Sequence, residues 1–341
     1  MHSESSPLGE FDLIQRFFKA GADAMRPNDE NVIALGIGDD CALLKIAEGE
    51  EIVITSDMLV EGRHFFMNAD PELLGRKALA VNLSDLAAMG AKPIGFTLAI
   101  ALPTVDIVWL EAFSKGLFAV ANQYSCPLIG GDTTAGPLTI SITAFGSIPS
   151  GKAIRRSGAK VGNDIWTSGT IGDARLALAA LRHEITLPES DLKQIEHRMH
   201  NPTPRVELGM KIRELASAAL DISDGLLGDL HHILKQSQVS AEVFLDQIPK
   251  SETLQKQSED IQNQFAASGG DDYEICFTAP IEKRGVIDEI SRVLNLPLTR
   301  IGSITEKVGA VEKLYLLNKN GDLLDETKSA VLLKSFDHFA K

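Results

Sequence analysis

Three cysteines in 341 residues, widely spaced and without a CxxC pair, exclude a disulfide framework and a cysteine-built zinc site. Cys41, Cys126 and Cys276 each lie in or beside an apolar run and read as reduced core residues of a cytosolic protein. Aromatic residues make up only 6% of the chain, and no run of about 18 apolar residues occurs, so no transmembrane helix is expected. The opening stretch MHSESSPLGEF lacks a basic region followed by an apolar one, which argues against a secretion signal. Positive charge is also in deficit. With 33 Lys and Arg against 47 Asp and Glu, the net charge is −14, which excludes a nucleic-acid partner. Small phosphate ligands stay open if metal ions mediate the contact. What remains is a soluble, cytoplasmic globular protein, 44% apolar and long enough for two domains.

The pattern of elements supports an α/β reading. FDLIQRFFKAGADAM repeats apolar residues at helical spacing, and EIVITSDML reads as a strand ending in a polar triplet. DPELLGRKALAVNLSDLAAMG reads as a helix with Asp70 as N-cap, Pro71 in the first turn and Gly90 as stop. Further strands and helices alternate up to Pro149, Ser150 and Gly151, which mark a boundary. The expected organisation is an N-terminal helix over 1–24, an α/β domain over 25–150, a second over 151–320 and a tail over 321–341.

Carboxylates recur where strands give way to glycine or hydroxyl residues. GIGDDCALL sets Asp39 and Asp40 side by side before what reads as a buried strand. TSD carries Asp57 and GGD places Asp132, each at an expected strand end. DISDG supplies Asp221 and Asp224, and SGGDDYE supplies Asp271 and Asp272. Asp85 is different, because at 100° per residue it shares a helix face with Leu74, Ala78, Val81 and Met89. A carboxylate on a buried stripe costs several kcal/mol unless partnered, so Asp85 either caps a local turn or meets cations. Two like charges about 4 Å apart repel by about 1 kcal/mol in water and about 4 kcal/mol at a dielectric of 20. Several such pairs at converging strand ends need divalent cations between them. Oxygen ligands, with no His or Cys among them, favour Mg²⁺ or Mn²⁺. The plain alternative for each motif alone is an ordinary Asp–Gly turn.

GSIPSGKA, Gly146 to Ala153, nearly matches a phosphate-binding loop but lacks its terminal hydroxyl and the helix that must follow. Arg156 just beyond it offers a planar fork suited to phosphate oxygens. His64 follows Asp57 by seven residues, and Phe336 with His338 forms an aromatic tail that reads as packing. No arrangement suggests covalent catalysis.

Taken in order and interval, GIGDDCALL, TSDMLVEGRHF, KALAVNLSDLAAMGA, LIGGDTT, RSGAKVGND, DISDGLLGDL and SGGDDYEICF closely resemble the thiamine-monophosphate kinase family of the aminoimidazole ribonucleotide synthetase superfamily. The likeness runs from Gly9 to the terminal DHFA. It implies a two-domain α/β (α+β) fold whose N-terminal domains pair their sheets across a homodimer. It also implies ATP-dependent phosphorylation of thiamine monophosphate to thiamine diphosphate, with ATP bound at strand ends through several Mg²⁺ ions. Carried over, Asp39, Thr55, Ser56, Asp57, Asp85, Asp132, Asp221 and Asp224 are metal ligands, with Asp57, Asp85, Asp132 and Asp221 as the catalytic carboxylates. Gly131, Asp132, Arg156 and Ser223 contact ATP, while His64, Asp271 and Phe336 contact thiamine monophosphate. The chain departs at Asp271, where Glu is commoner, and at Phe336, where Tyr or Trp is more usual. A Mg²⁺-dependent phosphohydrolase, another ATP-using enzyme of the superfamily, or a non-catalytic nucleotide-binding module are the alternatives.

Overall fold

Alternating burial along the long antiparallel strands of the N-terminal sheet separates a helix-packed face from an open one. The computed structural model describes residues 9–25, 32–38 and 40–333, which fall into two compact units. Unit 1 comprises Met1–Leu86 and Lys92–Ser150, and unit 2 comprises Ala87–Ala91 and Gly151–Lys341.

In unit 1 a short ribbon pairs β1 (Ile33–Leu35) with β2 (Leu43–Leu44). The main sheet contains β3 (Glu50–Val60), β4 (Lys92–Leu102), β5 (Leu128–Ala135) and β6 (Thr139–Pro149), in the order β3-β6-β4-β5. Only the β4–β5 pair is parallel. On β6, Ile140, Ile142 and Ala144 are buried, whereas Ser141, Thr143 and Phe145 are half-exposed. The open face also carries Ile52, Ile54 and Met58 of β3, which are 41%, 60% and 57% exposed. The helices of this unit are α1 (Glu10–Leu13), continued by a π-helical turn (Ile14–Lys19) and α2 (Ala20–Ala24), then α3 (Pro71–Ala88) and α4 (Ile107–Gln123). Asp70 caps α3 by accepting from the Leu73 N–H at 2.9 Å, and Asp106 caps α4 in the same way. α3 and α4 touch backbone to backbone. A Cβ on Gly75 would lie 2.1 Å from Phe113 O, and one on Gly116 would lie 1.8 Å from Glu72 O.

Two expectations need correction. Cys41 is exposed, and Leu43 beside it is 56% exposed, because β2 belongs to a two-stranded ribbon rather than to a covered sheet. The triplets TSD and GGD lie inside β3 and β5, not at their ends. Polar side chains on one face leave the backbone ladder intact, and Met58–Val60 still pair with Thr139–Ser141. Gly146–Pro149 is the end of β6, so GSIPSGKA forms no phosphate cradle.

Unit 2 is built on β7 (Asp164–Ser168), β8 (Ala218–Asp221), β9 (Ser240–Phe244), β10 (Ile275–Ala279), β11 (Leu298–Thr305) and β12 (Leu314–Leu317). Their order is β12-β9-β11-β7-β10-β8, antiparallel except for β12 on β9. β7, β8 and β10 are buried along their whole length. The helices are α5 (Asp173–Leu181), α6 (Glu189–His200), α7 (Val206–Ile212), α8 (Leu226–Ser237), α9 (Glu252–Gln255), α10 (Glu259–Ser268), α11 (Arg284–Leu294) and α12 (Glu326–Leu332). α6 forms from the polar stretch between 183 and 204, where three inward residues, Asp191, Ile195 and Met199, suffice to seat it.

Glu274, fully buried before β10, holds several of these elements together. Its Oε1 accepts from Arg198 Nη2 of α6 at 2.5 Å and from Arg205 Nη2, and its Oε2 accepts from Arg205 Nε at 2.7 Å. Ser168 Oγ of β7 also donates to Oε2 at 2.5 Å. Burial alone would raise the Glu274 pKa, but Arg205 and Arg198 outweigh it and hold the carboxyl below the ordinary range. A carboxyl lowered in the folded state stabilises fully above its unfolded pKa of about 4.3, and that contribution is lost as pH falls through the folded value. Glu274→Gln leaves two largely buried guanidiniums without their counter-charge and is expected to lower the unfolding free energy by about 3 kcal/mol. Urea denaturation at pH 7 and at pH 4 should show wild type beginning to lose this advantage in acid and the variant losing less. Equal midpoints at pH 7 would refute the assignment. Among the described residues, no helix is long and apolar enough to cross a membrane.

Candidate functional site

The two inward positions of β3 that carry oxygen, Thr55 and Asp57, follow from period two, since Ser56 between them must face the other way. Ser56 Oγ lies 3.0 Å from Thr143 Oγ1 on β6. Thr55 Oγ1 donates to Asp85 Oδ2, so a hydroxyl of the sheet and a carboxylate of α3 meet. One turn earlier on α3, Asn82 Oδ1 accepts from the Asp57 N–H at 3.2 Å. Asp85 is therefore the half-buried exception on an otherwise buried helix face, partnered by a hydroxyl from the strand. Across the sheet, Asp57 pairs with Ile142, Ile142 with Leu98 and Leu98 with Gly131, and Asp132 follows opposite Ala99. Gly131 could carry no side chain, because a Cβ there would lie 1.9 Å from Leu98 O. His64 sits in the turn after β3, where its Nδ1 accepts from the Val60 N–H at 3.0 Å. That bond leaves Nε2 as the protonated nitrogen of the neutral ring.

In unit 2, Asp221 ends β8 and is buried, and Ser223 and Asp224 form the turn into α8. One oxygen shapes this turn. Asp229 Oδ2 accepts from the N–H groups of Ser223 at 3.0 Å, Asp224 at 3.1 Å and Gly225 at 3.2 Å. Burial pushes the Asp229 carboxyl up to about 7, with the Asp224 charge adding to it against the pull of those N–H groups. Sequence reasoning missed Asp229. The signal was the one that singled out Asp85, a carboxylate on the apolar stripe of Leu226, Leu230 and Ile233.

The 269–273 loop is strapped to this turn. The Asp271 N–H donates to Ser223 O at 2.9 Å, and the Tyr273 N–H donates to Ile222 O at 2.8 Å. Asp271 and Tyr273 both adopt positive φ, 67° and 50°, and the Tyr273 hydroxyl donates to Asp271 Oδ1 at 3.1 Å. Asp272 turns inward, both its oxygens 3.0 Å from the Gly172 N–H. Burial pushes its carboxyl well above the usual range, against the Arg198 charge and the Gly172 N–H. Arg156 is exposed on the 155–160 loop. Asp39 and Phe336 lie outside the described residues.

Among the described residues, no three His, Cys, Asp or Glu side chains form a ready-made metal group. The donor chemistry still suits a hard cation. Thr55, Asp57 and Asp85 offer oxygen alone, half-exposed and drawn from two elements.

The described architecture also has counterparts among known proteins. The N-terminal domain of AIR synthase related protein matches residues 38–148, and the C-terminal domain of AIR synthase related protein matches residues 160–313. The chain belongs to this AIR synthase related family. It is 46% identical over 334 residues to the thiamine-monophosphate kinase of Salmonella typhimurium, covering 97% of this chain and 98% of that one. The crystal structure of thiamine-monophosphate kinase from Stenotrophomonas maltophilia superposes with a TM-score of 0.81 at 45% identity, covering 90% of this chain and 96% of the other. AaThiL complexed with AMPPCP and TMP matches with a TM-score of 0.73 at 29% identity, covering 99% and 100%. Within the family, the thiamine-monophosphate kinases are the branch in which the chain falls.

Removing the Asp229 carboxylate orphans three backbone donors, so Asp229→Ala is expected to lower stability by about 3 kcal/mol. Asp229→Asn keeps an acceptor oxygen and should lose less than half of that in chemical denaturation. Equal losses would mean that the negative charge, not the acceptor, shapes the turn.

Proposed function

We propose that this chain transfers the γ-phosphoryl group of ATP to thiamine monophosphate, giving ADP and thiamine diphosphate. The observation that carries this reading is the full-length likeness, through both units, to thiamine-monophosphate kinases. The acceptor is a phosphate oxygen, largely ionised near neutral pH, and it needs little help from a general base. Catalysis is then positioning and charge neutralisation in an in-line transfer.

Thr55, Asp57 and Asp85, on one face of the unit 1 sheet, would hold Mg²⁺ together with Asp39. Ser56 and Asp132, which the register puts on the other face, would offer oxygen donors from there, and Asp221 and Asp224 take the same role in unit 2. The chemistry such ions supply when bound is neutralisation of the phosphate charges of both substrates. The chain's own part is to fix the donors. Asn82 and the β3–β6 ladder hold the Asp57 backbone, and Asp229 holds the N–H groups around Asp224. Gly131, Asp132, Arg156 and Ser223 contact ATP in this reading, with Arg156 adding charge-assisted hydrogen bonds to phosphate. His64, Asp271 and Phe336 contact thiamine monophosphate. The reaction is assigned to the cytoplasm.

A homodimer belongs to the same proposal. Ile52, Ile54 and Met58, with Phe145 paired to Ile54, give the unit 1 sheet an exposed apolar face suited to a second copy. Light scattering should report twice the chain mass for wild type, and Ile54→Glu should shift the population towards monomer. A wild-type monomer at micromolar concentration would sink the pairing.

Mixing the protein with Mg²⁺, ATP and thiamine monophosphate is expected to yield thiamine diphosphate and ADP in equal amounts by mass spectrometry, and EDTA should abolish both. Asp57→Asn and Asp132→Asn should each lose about 100-fold or more in kcat with an unchanged unfolding midpoint. ADP and free phosphate without thiamine diphosphate would instead make the protein a phosphohydrolase.

A further inference from the structure

α8 starts at the Ser223–Asp224 turn and ends at the segment that bears Arg156, the two stretches proposed above to contact ATP. Gly225 precedes its first residue, so the Ser223–Asp224 turn leads directly into it. Its last residue, Ser237, reaches the segment that bears Arg156. Ser237 Oγ accepts from the Gly158 N–H and the Ala159 N–H, each at 3.1 Å, and donates to Arg156 O at 3.0 Å. A hydroxyl has one hydrogen to give and two lone pairs to fill, so this segment takes up the whole hydrogen-bonding capacity of Ser237. β8 holds the same segment from its other side. The Ala219 N–H donates to Arg155 O at 3.2 Å, and Gly158, at φ 140°, passes so near Ser217 O that a Cβ would lie 2.3 Å from it. The backbone on both sides of Arg156 is thus fixed, while the residue itself is exposed. The Arg156 charge is felt by His232, midway along α8, which partial burial and that charge hold below its ordinary pKa.

We propose that Ser237 is a positioning residue for the phosphate-binding Arg156, and that α8 thereby sets the spacing between Arg156 and the Ser223–Asp224 turn along the ATP phosphates. The inference rests on the reading of Arg156 as an ATP contact given above. A long side chain loses rotamer freedom on binding, and a fixed root reduces what must be ordered at that moment. Ser237 itself touches no substrate in this arrangement. It acts through the backbone of residues 156–159.

The test is steady-state kinetics with ATP and thiamine monophosphate varied separately, with unfolding midpoints measured on the same preparations. Ser237→Ala is expected to raise KM for ATP about tenfold, with kcat within about twofold and KM for thiamine monophosphate unchanged. Ser237→Thr keeps the hydroxyl and should restore the wild-type KM. In an Arg156→Ala background, Ser237→Ala should add nothing further, because the group it positions is gone. Should Ser237→Ala fail to fold, Ser237→Cys, a weak donor and acceptor, makes the same comparison. Two results would overturn the inference separately. An unchanged KM for ATP in Ser237→Ala, alongside a raised one in Arg156→Ala, removes the positioning role and leaves Arg156 as an ATP contact. An unchanged KM in Arg156→Ala removes the assignment of Arg156 and the inference with it. Calorimetric titration with Mg²⁺ and ATP alone makes both comparisons without turnover.

Discussion

The ion cluster around Glu274 is the constraint on which the second unit turns. A carboxylate with no solvent exposure is tolerable only because two guanidiniums and a serine hydroxyl fill its lone pairs. The same residue works through its backbone, since Glu274 O accepts from the Ile222 N–H at 2.8 Å. One residue therefore ties α6, the 201–205 segment, β7 and the entry to β10 to the turn that carries Ser223 and Asp224. The strained Asp271–Tyr273 stretch immediately before it is held between that anchor and the straps to Ile222 and Ser223. Positive φ at two non-glycine residues persists only where the surroundings over-determine the backbone, and here they do.

In the proposed reading, rigid elements would carry the chemistry in both units, and loops only what must reach a ligand. Thr55 and Asp57 sit inside a paired strand, Asp85 on a long helix, and Asp221 at the end of a buried strand. Hard-cation sites gain from such mounting, because misplaced oxygens lose both geometry and charge complementarity. The turn at 223–225 is not itself a regular element, but a single carboxylate oxygen collects its three N–H groups and ties it to α8.

Much of this was legible in the sequence because local patterns encode it. The cap at Asp70, the proline at the first turn of α3 and the apolar alternation of β6 all act within a few residues of themselves. Asp85 stood out because a charge on a buried stripe demands a partner, and Thr55 supplies one from 30 residues away. Where long-range pairing decides, the reading failed. Nothing local says that the ladder continues through TSD and GGD, or that CALL joins a two-stranded ribbon and leaves Cys41 exposed. The Glu274 cluster draws on partners 69, 76 and 106 residues distant, a separation that no motif reveals. Asp229 was readable in principle, by the argument used for Asp85.

The glycine crossing of α3 and α4 has a mechanical side. Ten residues of helix, about 15 Å, separate Gly75 from Asp85, so the crossing acts as a fulcrum with the carboxylate at the end of a lever. A tilt of about 4° at the fulcrum moves the tip by about 1 Å, a displacement that can change a catalytic rate about a hundredfold. Under the role proposed for Asp85, the bare backbone contact at Gly75 and Gly116 works as an alignment stop for chemistry well away from it.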